Sequence, residues 1–184
     1  MNLLEIQKKV LRLIEEINTD GTNEITKDPD IKEKINDVIN LVNVELCRIK
    51  KLPAVEELEV KENDEIQLDE ELKDFYQLNV IKNVTYEQIE NNIIFLKNGN
   101  ARIYYYKFPK KITKDTDAEK YKFENTDDVL ETLIMGVAAD ILKNDVSSNY
   151  GKIYADRYNE LKQSLDPRFA RGCVIVCDDG LDFW

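Results

Sequence analysis

The stretch Asp127-Asp128-Val129-Leu130-Glu131-Thr132-Leu133-Ile134-Met135-Gly136-Val137-Ala138-Ala139-Asp140-Ile141-Leu142 sets the frame for the rest of the chain. Val129, Leu130, Leu133, Ile134, Val137, Ala138, Ile141 and Leu142 recur at helical spacing. Thr126, Asp127 and Asp128 stand where a side-chain oxygen and negative charge satisfy free backbone N–H groups. Asp145-Val146-Ser147-Ser148-Asn149 is a polar turn. A second helix follows, its stripe formed by Tyr150, Tyr154, Arg157/Tyr158, Leu161 and Leu165. Ser148 or Asn149 can cap it, and Asp166-Pro167 ends it, because a residue before proline avoids the helical state. So short a link makes the two helices antiparallel neighbours.

Upstream, Leu3, Ile6, Val10, Leu13 and Ile17 predict a first helix from Leu3 to Ile17. Asn2 and Glu5 have the spacing of a capping box, and Gly21 suits the turn beyond the helix end. Asp28-Pro29 opens a second helix, with Asp28 as cap and Pro29 at the first position. Its stripe runs from Ile31 through Ile35, Val38, Ile39, Val42 and Leu46 to Ile49, and Leu52-Pro53 closes it.

From Ala54 to Thr113 the period falls from about 3.6 to about 2. Glu57–Lys61 and Glu65–Asp69 alternate, and Phe75 to Val80 is mixed. Asn92–Lys97 and Arg102–Phe108 flank Asn98-Gly99-Asn100 and predict a β-hairpin. Pro109 stands where a strand should stop. An acidic connector, Lys114 to Asn125, leads back to helix. Beyond Pro167, Cys173-Val174-Ile175-Val176-Cys177 predicts a strand. It can pair with strands of the same chain or add to a sheet of another.

The expected architecture is therefore α+β. Two N-terminal and two C-terminal helices form a four-helix core (1–53 and 114–167). A small antiparallel β-lobe (54–113) is inserted between helices 2 and 3, and a C-terminal docking tail (168–184) ends the chain. Internal repeats and low-complexity blocks are absent from the sequence.

The formal charge of −11 is the wrong sign for a protein that holds nucleic acid by neutralising phosphates. It suits solubility, or a surface that must not stick to DNA passing close by. No histidine is present, which removes the commonest general base and metal ligand. Cys47 reads as a small core hydrophobe. Cys173 and Cys177 are too widely spaced for a CxxC pair, and no second pair completes a zinc site. Reduced, buried thiols fit synthesis in the cytoplasm. The N-terminal residues are too charged for a signal peptide, and no apolar run is long enough for a membrane helix.

The candidate sites each have a plain structural alternative. Tyr104-Tyr105-Tyr106 with Arg102 and Lys107 can form a stacking platform for single-stranded nucleic acid. As a strand it would point alternate tyrosines in and out, which is the favoured reading. Asp115, Asp117, Asp127 and Asp128 lack the alternation of a calcium loop and fit a solvated connector with a helix cap. Gly136 marks a close approach of another backbone to its helix. Arg157, Arg168 and Arg171 gather near a helix end, where they can oppose its dipole or pair across an interface. Asp140 and Asp156 can face each other, but an acid–base pair has little support without histidine or a metal pattern.

Gly136–Asp140, Asn149–Tyr154, Arg157–Glu160 and Leu165–Arg168 together resemble the head–tail connector, or adaptor, proteins of tailed bacteriophages. The Arg102–Pro109 strand and Asp115-Thr116-Asp117 resemble members with a β-lobe between their helices. The resemblance implies a structural virion protein with no catalytic, cofactor or metal site. It implies a ring, usually of twelve copies in that family, beneath the portal protein at the capsid vertex, made in the host cytoplasm. Such a ring extends the DNA channel without sequence-specific binding or membrane contact and presents a platform to the next neck or tail protein. Arg157, Arg168, Phe169, Arg171, Val174, Val176, Phe183 and Trp184 are the candidate subunit or portal interface. The alternative reading is a nucleic-acid-binding module using Tyr104–Tyr106.

Overall fold

The computed structural model describes residues 1–20, 25–143 and 149–165. The element order is α1 (Leu3–Leu13), α2 (Pro29–Ile49), β1 (Leu52–Val60), β2 (Glu65–Gln67), α3 (Leu68–Glu71), β3 (Phe75–Lys82), β4 (Tyr86–Ile89), β5 (Asn92–Phe95), β6 (Gly99–Lys107), α4 (Asp127–Leu142) and α5 (Tyr150–Leu165). The expected Cys173–Cys177 strand and the docking tail lie outside the described residues.

The expectation of a four-helix core carrying a small β-lobe is overturned. The described chain is α+β with five helices and two three-stranded antiparallel sheets. The reason lies in α4. A bundle of four equivalent helices needs a polar back on each. Helix α4 instead buries Val129, Leu130, Thr132, Leu133, Gly136, Val137 and Ala138, which go round most of its circumference. Helices α1, α2 and α5 each pack on this central rod. Their stripes supply Leu3, Ile6 and Val10, then Ile35, Ile39 and Leu46, and finally Leu165.

Helix α1 shows how local signals and distant chain combine. Asn2 and Glu5 form the capping box, with Asn2 Oδ1 accepting from the Glu5 amide at 2.8 Å and Glu5 Oε2 from the Asn2 amide at 2.9 Å. The remaining first-turn donors go to the connector: the Leu3 amide to the Tyr121 carbonyl at 3.1 Å, and the Leu4 amide to the Ala118 carbonyl at 3.0 Å. All the free N–H groups of this helix start are thus satisfied. The helix ends at Leu13, short of the predicted Ile17. Glu15 turns left-handed at φ 61°, and the Glu16 amide reaches back to the Leu11 carbonyl at 2.9 Å. That is a Schellman-type ending with glutamate where glycine is usual. Helix α2 opens as predicted, with Asp28 Oδ1 accepting from Asp30 at 2.8 Å and Ile31 at 3.2 Å.

The strands surround a second hydrophobic cluster that includes Leu68, Ile81, Ile93, Phe95, Ala101 and Ile103. The predicted hairpin between Asn92–Lys97 and Arg102–Phe108 does not form. β5 is the middle of the sheet β2-β5-β4, and β6 the middle of β1-β6-β3. Asn98-Gly99 carries the chain from one sheet to the other. A Cβ at Gly99 would come 3.0 Å from Val84 Cγ1, so that side chain would have to shift to admit one. The tight hairpin is β4–β5, turning through Glu90-Asn91 with Glu90 at φ 55°. Predicted Leu68-Asp69 strand is helix α3 instead, and Leu52-Pro53 begins β1.

The helical and sheet clusters are tied through the segment after β6. Lys107 pairs with Glu124 at 2.7 Å, and the rings of Tyr76 and Phe108 lie 5.0 Å apart. Asn40 of α2 grips Ile112 twice, its Nδ2 donating to the Ile112 carbonyl and its Oδ1 accepting from the Ile112 amide, both at 2.8 Å. Among the described residues no helix is long and apolar enough to cross a membrane.

Candidate functional site

Strand β6 alternates, and the alternation separates its three tyrosines. Ala101, Ile103 and Tyr105 point into the sheet cluster. Tyr105 stacks on Phe75 and donates its hydroxyl to Asp74 Oδ1 at 3.0 Å. Burial, then the bond to Asp74, pushes this phenol up to about 12. It is unavailable as a platform residue.

Arg102, Tyr104 and Tyr106 lie on the opposite face. The register sets three rows across the sheet: Glu57–Arg102–Lys82, Val55–Tyr104–Val80 and Pro53–Tyr106–Gln77. Val55 is 49% exposed, and with the Tyr104 and Tyr106 rings beside it the apolar surface is shared by several side chains. Lys82 Nζ sits 5.1 Å from the Tyr104 ring centroid, and Lys51 Nζ 4.8 Å from that of Tyr106. Lys51 also donates to Gln77 Oε1 at 2.7 Å. Arg102 Nε donates to Glu57 Oε1 at 2.7 Å, and a second guanidinium nitrogen reaches the same oxygen. The face is therefore apolar and aromatic in the middle, with its cations held in place by rings and carboxylates. Lys51, Lys82 and Val55 are its unpredicted members. They come from β1 with the residue before it and from the end of β3, and only the register across β6 brings them together.

A second polar constellation joins α5 to α2. The Tyr158 hydroxyl donates to Glu45 Oε2 at 2.8 Å, and the Lys162 ammonium donates to Glu45 Oε1 while lying over the Tyr158 ring. Burial pushes the Glu45 carboxyl upward, but the hydrogen bonds from Lys162 and Tyr158 and the charges of Lys162 and Arg48 outweigh it. The net shift is below the ordinary 4.5. The Tyr158 phenol is raised, by burial first and then by the bond and charge of Glu45. Nothing reactive points into this arrangement; it clamps two helices. Gly136 on α4 lies beneath it. A Cβ there would meet the Tyr158 ring at 2.7 Å and Val42 Cγ1 at 2.9 Å. The crowding comes from side chains, where a backbone was expected.

The other predicted residues are dispersed. Arg157 is exposed on α5 and pairs with Glu160 at 2.9 Å. Arg168, Phe169, Arg171, Val174, Val176, Phe183 and Trp184 lie outside the described residues, as do Cys173 and Cys177. Asp140 pairs with Lys143 at 2.7 Å, and Asp156 is exposed on α5. Tyr150, expected in the α5 stripe, is 59% exposed. Asp117 accepts from the Glu119 and Lys120 amides in a local turn and pairs with Lys120 at 3.0 Å. Thr126 does not cap α4: its hydroxyl donates to Asp128, which lowers that carboxyl. Cys47 is buried beside Asn43 and Asn125, and burial pushes its thiol up to about 11. Among the described residues no group of three or more His, Cys, Asp or Glu is placed to hold a metal ion.

Two concavities among the described residues bear on binding. One, of about 810 Å³, lies between α2 and the end of α4, with Asp28, Asp30, Asp37 and Asp140 around Ile31, Val38 and Leu41. Asp28 and Asp140 are already engaged by a helix cap and an ion pair. The other, of about 390 Å³, lies between α1, α4 and α5. No family model and no curated protein matches this chain.

Proposed function

We propose that the chain is a structural subunit that acts by docking to other proteins. Its specific form is the one the sequence resemblance implies: a head–tail adaptor ring beneath a phage portal. The observation that carries the docking role is the outer face of the β1-β6-β3 sheet. Val55 lies open there beside Tyr104 and Tyr106, and tyrosine is among the residues enriched in the centres of protein interfaces. An acidic molecule of net charge −11 suits a ring around DNA, since phosphates are repelled rather than gripped.

The nucleic-acid reading draws on the same face, and the nearness of Lys51 and Lys82 to the tyrosines is what favours it. Against it, those ammonium groups occupy ring faces that a base would need, and Glu57 neutralises Arg102.

Electron microscopy and analytical ultracentrifugation of the chain with the portal protein from the same genome test the proposal. A stacked ring is the expected result, lost in Val55→Glu with the circular dichroism unchanged. A chain that stays monomeric and ignores the portal overturns it. Tight binding of a single-stranded oligonucleotide with a steep salt dependence would favour the second reading.

A further inference from the structure

The groove between α1, α4 and α5 has an apolar floor of Ile134, Met135, Leu13 and Leu161. Three cations stand around it: Lys9 and Arg12 on α1, and Arg157 on α5, against one carboxylate, Glu131. Arg157 is paired with Glu160, but Arg12 forms no ion pair with a described carboxylate. The groove's balance runs against the chain's net charge of −11.

The same chain carries a segment of matching chemistry. Val174-Ile175-Val176 is a β-branched run that favours an extended backbone, and Asp178-Asp179 follows it directly. In an extended segment Val174 and Val176 share one side. We propose that this segment of the chain's own C-terminal region occupies the groove. Val174 and Val176 rest on Ile134 and Met135, and Asp178 and Asp179 answer Arg12 and Lys9.

Reach supports the chain's own segment over a second copy's. Leu161 lines the groove, and Leu165, one turn on, is the last described residue of α5. The link from there to Val174 spans up to roughly 30 Å when extended. That is ample for a reversal through Asp166-Pro167 and Gly172. A tether of this length holds the segment at about millimolar local concentration. This inference does not depend on the docking role proposed above.

The test uses the full chain with Val174 replaced by the photo-crosslinking residue benzoylphenylalanine. Irradiation is followed by peptide mapping, on a mixture of light and isotope-heavy chains. Crosslinks to the peptide bearing Ile134 and Met135, within chains of one isotope, are expected. Arg12→Glu should lower their yield about fivefold, as expected for one partly exposed charge pair, and Asp178→Arg in that background should restore it. Moving the probe to Ile175, on the other side of the segment, should lower the yield with no change in charge. Light–heavy crosslinks would overturn the proposal in favour of a second copy. Scattered or absent crosslinks, or indifference to Arg12→Glu, would overturn it outright.

Discussion

Glu15 holds a left-handed conformation that glycine adopts freely and other residues adopt at about 1–2 kcal/mol. Glu15→Gly should relieve that strain, offset in part by the greater freedom of the unfolded chain. A net gain of about 0.5–1 kcal/mol in urea unfolding is expected. Glu45 makes a pH prediction. Its folded carboxyl lies below 4.5, so the stability it confers is whole above the unfolded value and is lost as pH falls through the folded one. Tyr158 works in the opposite sense: its raised phenol keeps its contribution below the ordinary value of 10.0, and that contribution is lost as pH rises further. Glu45→Gln should flatten the acid limb of the melting-temperature profile. An unchanged acid limb would show that other carboxylates govern it.

At the scale of elements, what could be read from sequence depended on how far away the partner lay. The capping box at Asn2 and Glu5 and the Asp28-Pro29 opening are local, and both formed. The Asn-Gly signal at 98–99 looked equally local, yet strand pairing is a choice among distant partners. β6 chose β1 and β3 because their inward residues close one face of the sheet cluster. The outer face of the β1-β6-β3 sheet, the proposed docking surface, was half legible: Tyr104 and Tyr106 stood out, but their lysines became neighbours only through register. The early end of α1 was hidden because glutamate is no signal for a left-handed turn.

Two substitutions test how the elements are held. Gly136→Ala gains about 1 kcal/mol of helix propensity but crowds Tyr158 and Val42, so a net loss of about 1–2 kcal/mol is expected. In a Tyr158→Ala background that loss should shrink, which a double-mutant cycle measures. Asn40→Ala leaves both polar groups of the Ile112 backbone without their partner and should cost about 2–3 kcal/mol.

For the whole molecule, the two hydrophobic clusters are the governing fact. Phe95 is fully buried in the sheet cluster, and Phe95→Ala should cost about 3–5 kcal/mol. Because the helical cluster has its own contacts, hydrogen exchange should quicken first in β5 and β6 while α4 amides stay protected. Equal loss of protection in both would show a single cooperative unit.

The packing of α1 on α4 has a consequence for biosynthesis. The ribosome delivers Leu3, Ile6 and Val10 first, but their cover on α4 begins only at Val129. At the usual elongation rates the wait is roughly 6–25 s. Throughout it the nascent chain presents an uncovered greasy stripe, an invitation to holding chaperones until the rod that completes it emerges from the exit tunnel.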